Sequence, residues 1–145
     1  MDIHILSALP EHRPDLESLL SANALPVSDL PDSLNGFYLA LDGKAIVGAA
    51  GMEHWDDVGL LRSVAVAESH RSQHIARQLT DAVLAHARQA QVREMYLITN
   101  TADHYFEKYG FQRVDRSETP AVIAQTEQFS GLCPSTAIVM KMILL

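Results

Sequence analysis

Apolar positions along the chain change their period several times, and each change marks an element. Residues 2–7 (DIHILS) are β-branched and stop short of Pro10, which predicts a first strand. From Glu11 to Ala24, Leu16, Leu19 and Leu20 recur at helical spacing and predict an amphipathic helix. Residues 25–36 (LPVSDLPDSLNG) hold two prolines and several turn formers, so no long helix fits there. Two apolar runs, Phe37–Leu41 and Lys44–His54, flank Asp42-Gly43 and predict a hairpin. Gly48 and Gly51 in the second run mark a bulge or a close backbone approach. Asp56-Asp57 begins a turn into a strand over Val58–Ala67.

The clearest helix spans Ser72–Gln91. Ile75, Leu79, Ala82, Val83, Ala87 and Ala90 form one stripe, while Arg77, Asp81, Arg88 and Gln89 fall outside it. A strand over Arg93–Thr99 follows, then a short helix over Ala102–Tyr109 stopped by Gly110. The pattern closes with a strand over Phe111–Val114, a helix over Pro120–Phe129 and a strand over Thr136–Leu144. Strand, long helix and strand in succession imply a right-handed crossover with parallel neighbours, whereas the early hairpin is antiparallel. The expected class is therefore α/β, with a mixed, mostly antiparallel central sheet and helices on both faces rather than a doubly wound fold.

Composition narrows the partners. The 145 residues suit one domain, residues 1–145, which buries about two-thirds of the surface of the unfolded chain. A formal net charge of −7 argues against a general nucleic-acid binder, although a local basic patch can still hold an anion. Cys133 is the sole cysteine, which excludes an intrachain disulfide. There is no basic-then-apolar leader and no apolar run of roughly 18 residues, so a cytoplasmic protein without a membrane partner is expected. His4, His12, His86 and His104 lack ligand-like spacing, and no metal site is expected.

The candidate chemistry lies between Leu60 and Arg77, LLRSVAVAESHRSQHIAR: a buried strand, a polar loop and the first turn of the long helix. Such a junction aims backbone N–H groups and a helix dipole at one point, which suits a phosphate. Arg71, His74 and Arg77 crowd the positive end of that helix, a conflict that disappears if an anion sits there. The same placement also fits side chains that simply point into water.

These residues carry a family resemblance. Val64-Ala65-Val66 followed by Arg71-Ser72-Gln73-His74-Ile75-Ala76 resembles the acetyl-CoA-binding segment of GNAT-type N-acetyltransferases. Thr99 to Phe111, TNTADHYFEKYGF, resembles the family's second signature, and the two occur in order at the family's separation. The resemblance covers nearly the whole chain. It implies acetyl-CoA as co-substrate, with backbone groups of Val64 and Val66 aligning the pantetheine and N–H groups from Ser72 to Arg77 holding the pyrophosphate. Thr99 falls where many relatives place a cofactor-contacting Asn, and Asn100 is a possible substitute. Two departures stand out: His74 replaces a Gly, and Phe106 replaces a Tyr that protonates the leaving thiolate in many relatives. A phenyl ring has no proton to give. In a helix, Tyr105 would point about 100° away from Phe106.

On the acceptor side, Glu53 and His54 end the third strand where relatives place an acid or a water chain, and they are the candidate general bases. Both also suit a surface or structural role. Arg62 and Ser63 precede the apolar Val-Ala-Val. An Arg in so apolar a run needs a partner, so it either pairs with Glu53 or Asp57 or clamps an acceptor's acid group with its bidentate fork. The late segment, with Thr119-Pro120, Glu127-Gln128-Phe129 and Leu132-Cys133-Pro134-Ser135, is similar to the acetyltransferases of arsenic-resistance operons. It is slightly further from the short amino-acid N-acetyltransferases of arginine biosynthesis. That resemblance implies a small amino-acid-like acceptor, with Cys133 as a pocket residue or as inert packing. Alternatives are glutamate N-acetylation and an acyl-CoA-binding sensor without turnover. The apolar C-terminal run would favour a homodimer if it formed an exposed edge.

Overall fold

The computed structural model describes residues 3–100, 102–126, 129 and 137–144. Its strands are β1 (Ile3–Ser7), β2 (Tyr38–Asp42), β3 (Ala45–Trp55), β4 (Val58–Val66), β5 (Glu94–Thr99), β6 (Gln112–Val114) and β7 (Ile138–Ile143). They form one sheet in the order β1-β2-β3-β4-β5-β7-β6. Every neighbouring pair is antiparallel except β4 and β5, the pair joined through the long helix. The expected mixed, mostly antiparallel sheet is the one observed.

The helices are α1 (Arg13–Ala22), α2 (Ile75–Gln89), α3 (Asp103–Tyr109) and the single turn α4 (Ala121–Ala124). Alternation along the strands assigns them to faces. On one face α2 and α3 cover Met52, Leu61, Met95 and Leu97 with Leu79, Val83 and Phe106. On the other, Leu16, Leu19 and Leu20 of α1 pack on Leu39, Ala49 and Ala65, and Ile123 of α4 packs with Leu60, Tyr96 and Val139. Between these two lower clusters lies the stretch of β4 that holds Arg62.

Three expectations change. The first helix starts late, because Pro10–His12 form a 3-10 turn before Arg13. Of the helix expected over Pro120–Phe129, the described residues up to Thr126 form one α-helical turn, Ala121–Ala124, and residues 127 and 128 lie outside the described residues. The Thr126 hydroxyl donates to the Ile123 carbonyl at 2.7 Å and accepts from the Phe129 N–H, so it competes with the α-helical ladder there. The C-terminal strand is interior, paired with β5 along its length and with β6 through Val139–Lys141. An exposed edge therefore supplies no argument for a homodimer. No described helix is long and apolar enough to cross a membrane.

Both marked glycines of β3 are close approaches. A Cβ at Gly48 would lie 2.9 Å from Leu79 Cδ1 of α2, and one at Gly51 would collide with the ring of Phe37.

Candidate active site

The parallel pair β4 and β5 meets over three residues and then separates. Val58, Gly59 and Leu60 pair with Glu94, Met95 and Tyr96, after which no pairing continues although both strands do. A bulge in β4 begins where the strands part. Ala49 pairs with Ala65 and Gly51 with Arg62, so Ser63 and Val64 oppose the single residue Ala50. Ser63 takes the left-handed region, φ 58°, to make the bulge. The opened gap is a cleft of about 1160 Å³, with Arg62, Ser63 and Val64 on one wall and Leu97, Ile98 and Thr99 on the other.

Backbone polar groups of β4 line that gap. The Ala67 N–H donates to the Val47 carbonyl of β3 at 2.7 Å. Successive strand residues turn their N–H and C=O to opposite edges, so those of Val66 and Val64 face away from β3 and toward the gap.

The cleft continues over the loop between β4 and α2. Ser72 and His74 both adopt the left-handed region, φ 67° and 63°. The helix therefore begins at Ile75, the first residue of its apolar stripe and three residues later than the expected start at Ser72. His74 is the N-cap and makes no side-chain cap bond, and the first turn of α2 has no acidic residue. The N–H groups of the first turn thus have neither an intrahelical acceptor nor a cap, and Ile75, Ala76 and Arg77 line the cleft. His74 lies where the family pattern has Gly, and its conformation is the reason: a left-handed φ is one that Gly adopts freely and His tolerates. Its side chain is exposed.

The loop's cations are partly occupied. Arg71 donates from Nη2 to Asn23 Oδ1 at 2.7 Å and from Nε to the Val66 carbonyl at 3.2 Å, tying the loop to the end of α1. His70 Nε2 lies 2.9 Å from Asp42 Oδ2 and ties it to the β2–β3 hairpin. Arg77 sits 5.8 Å from the centre of the Tyr109 ring, and the Tyr109 hydroxyl donates to Asp81. Gln73 is exposed and is not part of the cleft wall.

Thr99 and Asn100 lie at the end of β5 on the opposite wall. Thr99 Oγ1 accepts the Ala102 N–H at 3.0 Å, so this threonine also shapes the entry to α3. Phe106 is buried against Phe111, with ring centroids 5.7 Å apart. Tyr105 does not leave the site as its helical angle suggests. It lines the same cleft beside Phe106, because α3 lies along the opening and presents more than one side to it. Burial raises the Tyr105 pKa, and Asp81 adds to the rise while Arg77 opposes it, so the phenol keeps its proton at neutral pH.

On the face bearing α1, Arg62 is 4% exposed and each of its guanidinium nitrogens has a partner. Nη1 donates to Glu53 Oε2 at 3.0 Å and to the Asp29 carbonyl at 3.1 Å, Nε donates to Ser63 Oγ at 3.2 Å, and Nη2 lies 2.9 Å from Asp29 Oδ1. Glu53 was one of the two partners expected; Asp57 was the other and is exposed in the β3–β4 turn. Asp29 was not anticipated, since it lies 33 residues away in the irregular segment before β2 and has no periodicity to place it. His54 is exposed and alternates to the other face of β3, so the structure does not bring it to Glu53 and Arg62. Cys133 lies outside the described residues. Asp103, His104 and Glu107 gather at the start of α3, where Arg113 pairs with Asp103.

A family model described as an acetyltransferase (GNAT) domain matches residues 33–113, more than half of the chain. A comparison with curated proteins gives no match. Among solved structures, the N-acetylglutamate synthase of Neisseria gonorrhoeae, complexed with coenzyme A and N-acetyl-glutamate, superposes with a TM-score of 0.86 at 17% identity. The match covers 100% of this chain but 36% of the synthase, so the chain spans about a third of that protein. A GNAT-family acetyltransferase of Staphylococcus aureus Mu50 gives 0.80 at 21% identity, covering 99% of this chain and 100% of that one. The ribosomal-protein-S18-alanine N-acetyltransferase of Escherichia coli gives 0.70 at 15% identity, covering 99% and 94%. At these identities the likeness is one of fold, and the family rests on the sequence model. With the splayed β4–β5 pair, the bulge of β4 opposite β3 and a matched span that includes both, the chain belongs to the GNAT family of N-acetyltransferases.

Proposed function

We propose that the chain transfers the acetyl group of acetyl-CoA to the amine of a small, amino-acid-like acceptor. The observation that carries this reading is the separation of β4 from β5 beyond Leu60, which leaves backbone donors of one strand facing a deep cleft that ends at an uncapped helix N-terminus. Coenzyme A fits that arrangement in shape and charge: an extended amide-bearing arm for a strand edge, and a pyrophosphate for the free N–H groups of the α2 start. Acetyl-CoA supplies the activated thioester.

The chain's own residues then divide the work. Val64 and Val66 offer backbone groups to the pantetheine arm and to the thioester carbonyl, where charge develops during attack. Ser72, His74, Ile75, Ala76 and Arg77 hold the pyrophosphate, and Asn100 and Thr99 border the opposite wall. Phe106 packs against the cofactor without donating a proton. Glu53 takes the proton of the attacking amine as the new N–C bond forms, and the C–S bond breaks with coenzyme A leaving as its thiolate, which is protonated by water. Arg62 and Ser63 receive the acceptor's acid group. Likeness to the domain of a glutamate-acetylating synthase supports glutamate as a specific acceptor.

Calorimetric titration with acetyl-CoA, followed by a thiol-release screen over amino acids and amino-acid-like arsenical and phosphonate compounds, tests the proposal. Micromolar cofactor binding and turnover with at least one such amine is the expected result; no heat at millimolar acetyl-CoA rejects it. Arg62→Ala should raise the acceptor KM far more than the cofactor KM. Rescue of an arginine auxotroph separates glutamate from the other acceptors.

A further inference from the structure

Arg62 has almost no donor left for an incoming acid group. A guanidinium carries five N–H donors. One on Nε goes to Ser63, two on Nη1 go to Glu53 and the Asp29 carbonyl, and one on Nη2 faces the Asp29 carboxylate. The side chains of Arg62 and Asp29 are 3% and 7% exposed, that of Glu53 25%. Two carboxylates therefore already share one buried guanidinium, a net charge of −1. A third carboxylate added to this group would meet uncompensated repulsion where water cannot screen it. One carboxylate exchanged for another leaves the charge unchanged and the guanidinium paired throughout.

The two resident carboxylates are not equally replaceable. Glu53 is on β3, an inner strand paired on both sides, and accepts an aligned hydrogen bond from Nη1. Asp29 sits on a turn in the irregular segment 25–36. Its Oδ1 is buried and close to Nη2, yet among the described residues it accepts no properly directed hydrogen bond. Such an oxygen is held by the charge of the guanidinium and has no aligned hydrogen bond to lose when another carboxylate takes its place. Leu30, next in sequence, is buried in the α1 core and the Asp29 carbonyl accepts from Nη1, so the exchange is a swing of the Asp29 side chain with its backbone held.

We infer that Asp29 occupies the place of the acceptor's acid group on Arg62, and that acceptor binding exchanges one carboxylate for the other. The inference rests on the acceptor site proposed above. It makes Asp29 a specificity-determining residue. Amines that carry a carboxylate, or a phosphonate or arsinate of similar charge, displace it; neutral amines do not and find Arg62 closed. Glu53 stays on Arg62 through Oε2 in either state, held in place to receive the amine proton.

The test uses the full chain and glutarate, a dicarboxylate without an amine that cannot be acetylated. Glutarate and coenzyme A affinities are measured by calorimetry for wild type, Asp29→Asn, Asp29→Ser and the Asp29→Asn/Arg62→Gln double variant. Both single variants should bind glutarate about tenfold more tightly than wild type, the order expected when a competing charge is removed. Coenzyme A affinity should stay within about twofold in all four proteins, which shows that they are folded. The double variant should lose glutarate. Unchanged, weaker or undetectable glutarate binding in both single variants, with coenzyme A affinity intact, overturns the exchange. Tight glutarate binding that persists in the double variant rejects the Arg62 site itself, and loss of coenzyme A binding in wild type rejects the transferase reading.

Discussion

The ring of Phe37 fills the space that a side chain at Gly51 would need: a Cβ there would lie 2.3 Å from Phe37 Cδ2 and 2.4 Å from Cε2. Gly51 pairs with Arg62 at the bulge, so this contact fixes the sheet where the acceptor end of the cleft begins. Phe37 is 1% exposed and has core residues of α1 around it, which leaves the ring no route of retreat.

Gly51→Ala is therefore expected to cost about 1–3 kcal/mol, the range for overpacking a filled core. Thermal unfolding should show a fall in Tm of several degrees. A variant with unchanged Tm would mean that Phe37 repacks freely and that Gly51 is not held by this contact.

His74 is expected to be a tolerated imperfection. Its φ of 63° costs a non-glycine residue about 1–2 kcal/mol, and glycine recovers that at a loss of about 0.5–1 kcal/mol in chain entropy. His74→Gly should thus leave Tm unchanged or slightly raised, while His74→Val should lower it, because a β-branched side chain is strained at positive φ. Coenzyme A affinity should rise in the glycine variant, where the phosphate loop loses the imidazole at the helix start. Weaker binding in the glycine variant would assign the imidazole a direct role instead.

Much of this was legible from residue pattern, and the failures have physical causes. The mixed character of the sheet followed from the Asp42-Gly43 hairpin and the apolar stripe of α2, both local signals that tertiary packing reinforces; the order of its strands did not. The late start of α2 was hidden because Ser72 and His74 carry no glycine signature, although they use glycine's conformation. The α-helical turn α4 gives way at Gln125 although apolar spacing continues, because the Thr126 hydroxyl bonds the Ile123 carbonyl, a contact that periodicity does not report. Tyr105 was set aside on its angle around one helix; how that helix lies along the cleft is a tertiary fact. The pairing of Arg62 with Glu53 could be foreseen from adjacent strands, but Asp29 reaches it from an irregular segment with no register to read.

Tyr109 contributes to the loss of stability at alkaline pH. Burial and its hydrogen bond to Asp81 raise its pKa above the ordinary tyrosine value near 10. The folded chain therefore holds this proton longer than the unfolded one. Its contribution is complete below about pH 10 and is lost as pH rises toward the folded-state value. Tyr105 and Tyr96 shift the same way and add to the trend. Tyr109→Phe should lower stability at pH 7 by about 0.5–1 kcal/mol, the worth of one net hydrogen bond. Between pH 9 and pH 11, roughly the window around the unfolded tyrosine value, denaturant unfolding should fall less steeply for the variant than for wild type. Parallel curves would mean that Tyr109 does not titrate with unfolding.

Glu53 and His54 are adjacent in sequence and opposite in placement, which makes them a matched test of the general base. Glu53 is turned toward Arg62 and engages it at 3.0 Å through Oε2. His54 is exposed on the other face of β3. Glu53→Gln keeps the shape and an acceptor for Arg62 but removes the base, so kcat should fall about 10²–10⁴-fold, the usual scale for a lost proton acceptor. The cofactor KM should hardly move, because the cleft wall that faces the cofactor is built from other residues. His54→Ala should leave both constants near wild type. A large kcat loss in His54→Ala with Glu53→Gln unaffected would place the base on the opposite face and remove the link between the Arg62 ion pair and catalysis. Comparable small losses in both would mean that water alone takes the proton, and that Arg62 and Glu53 serve binding rather than the chemical step.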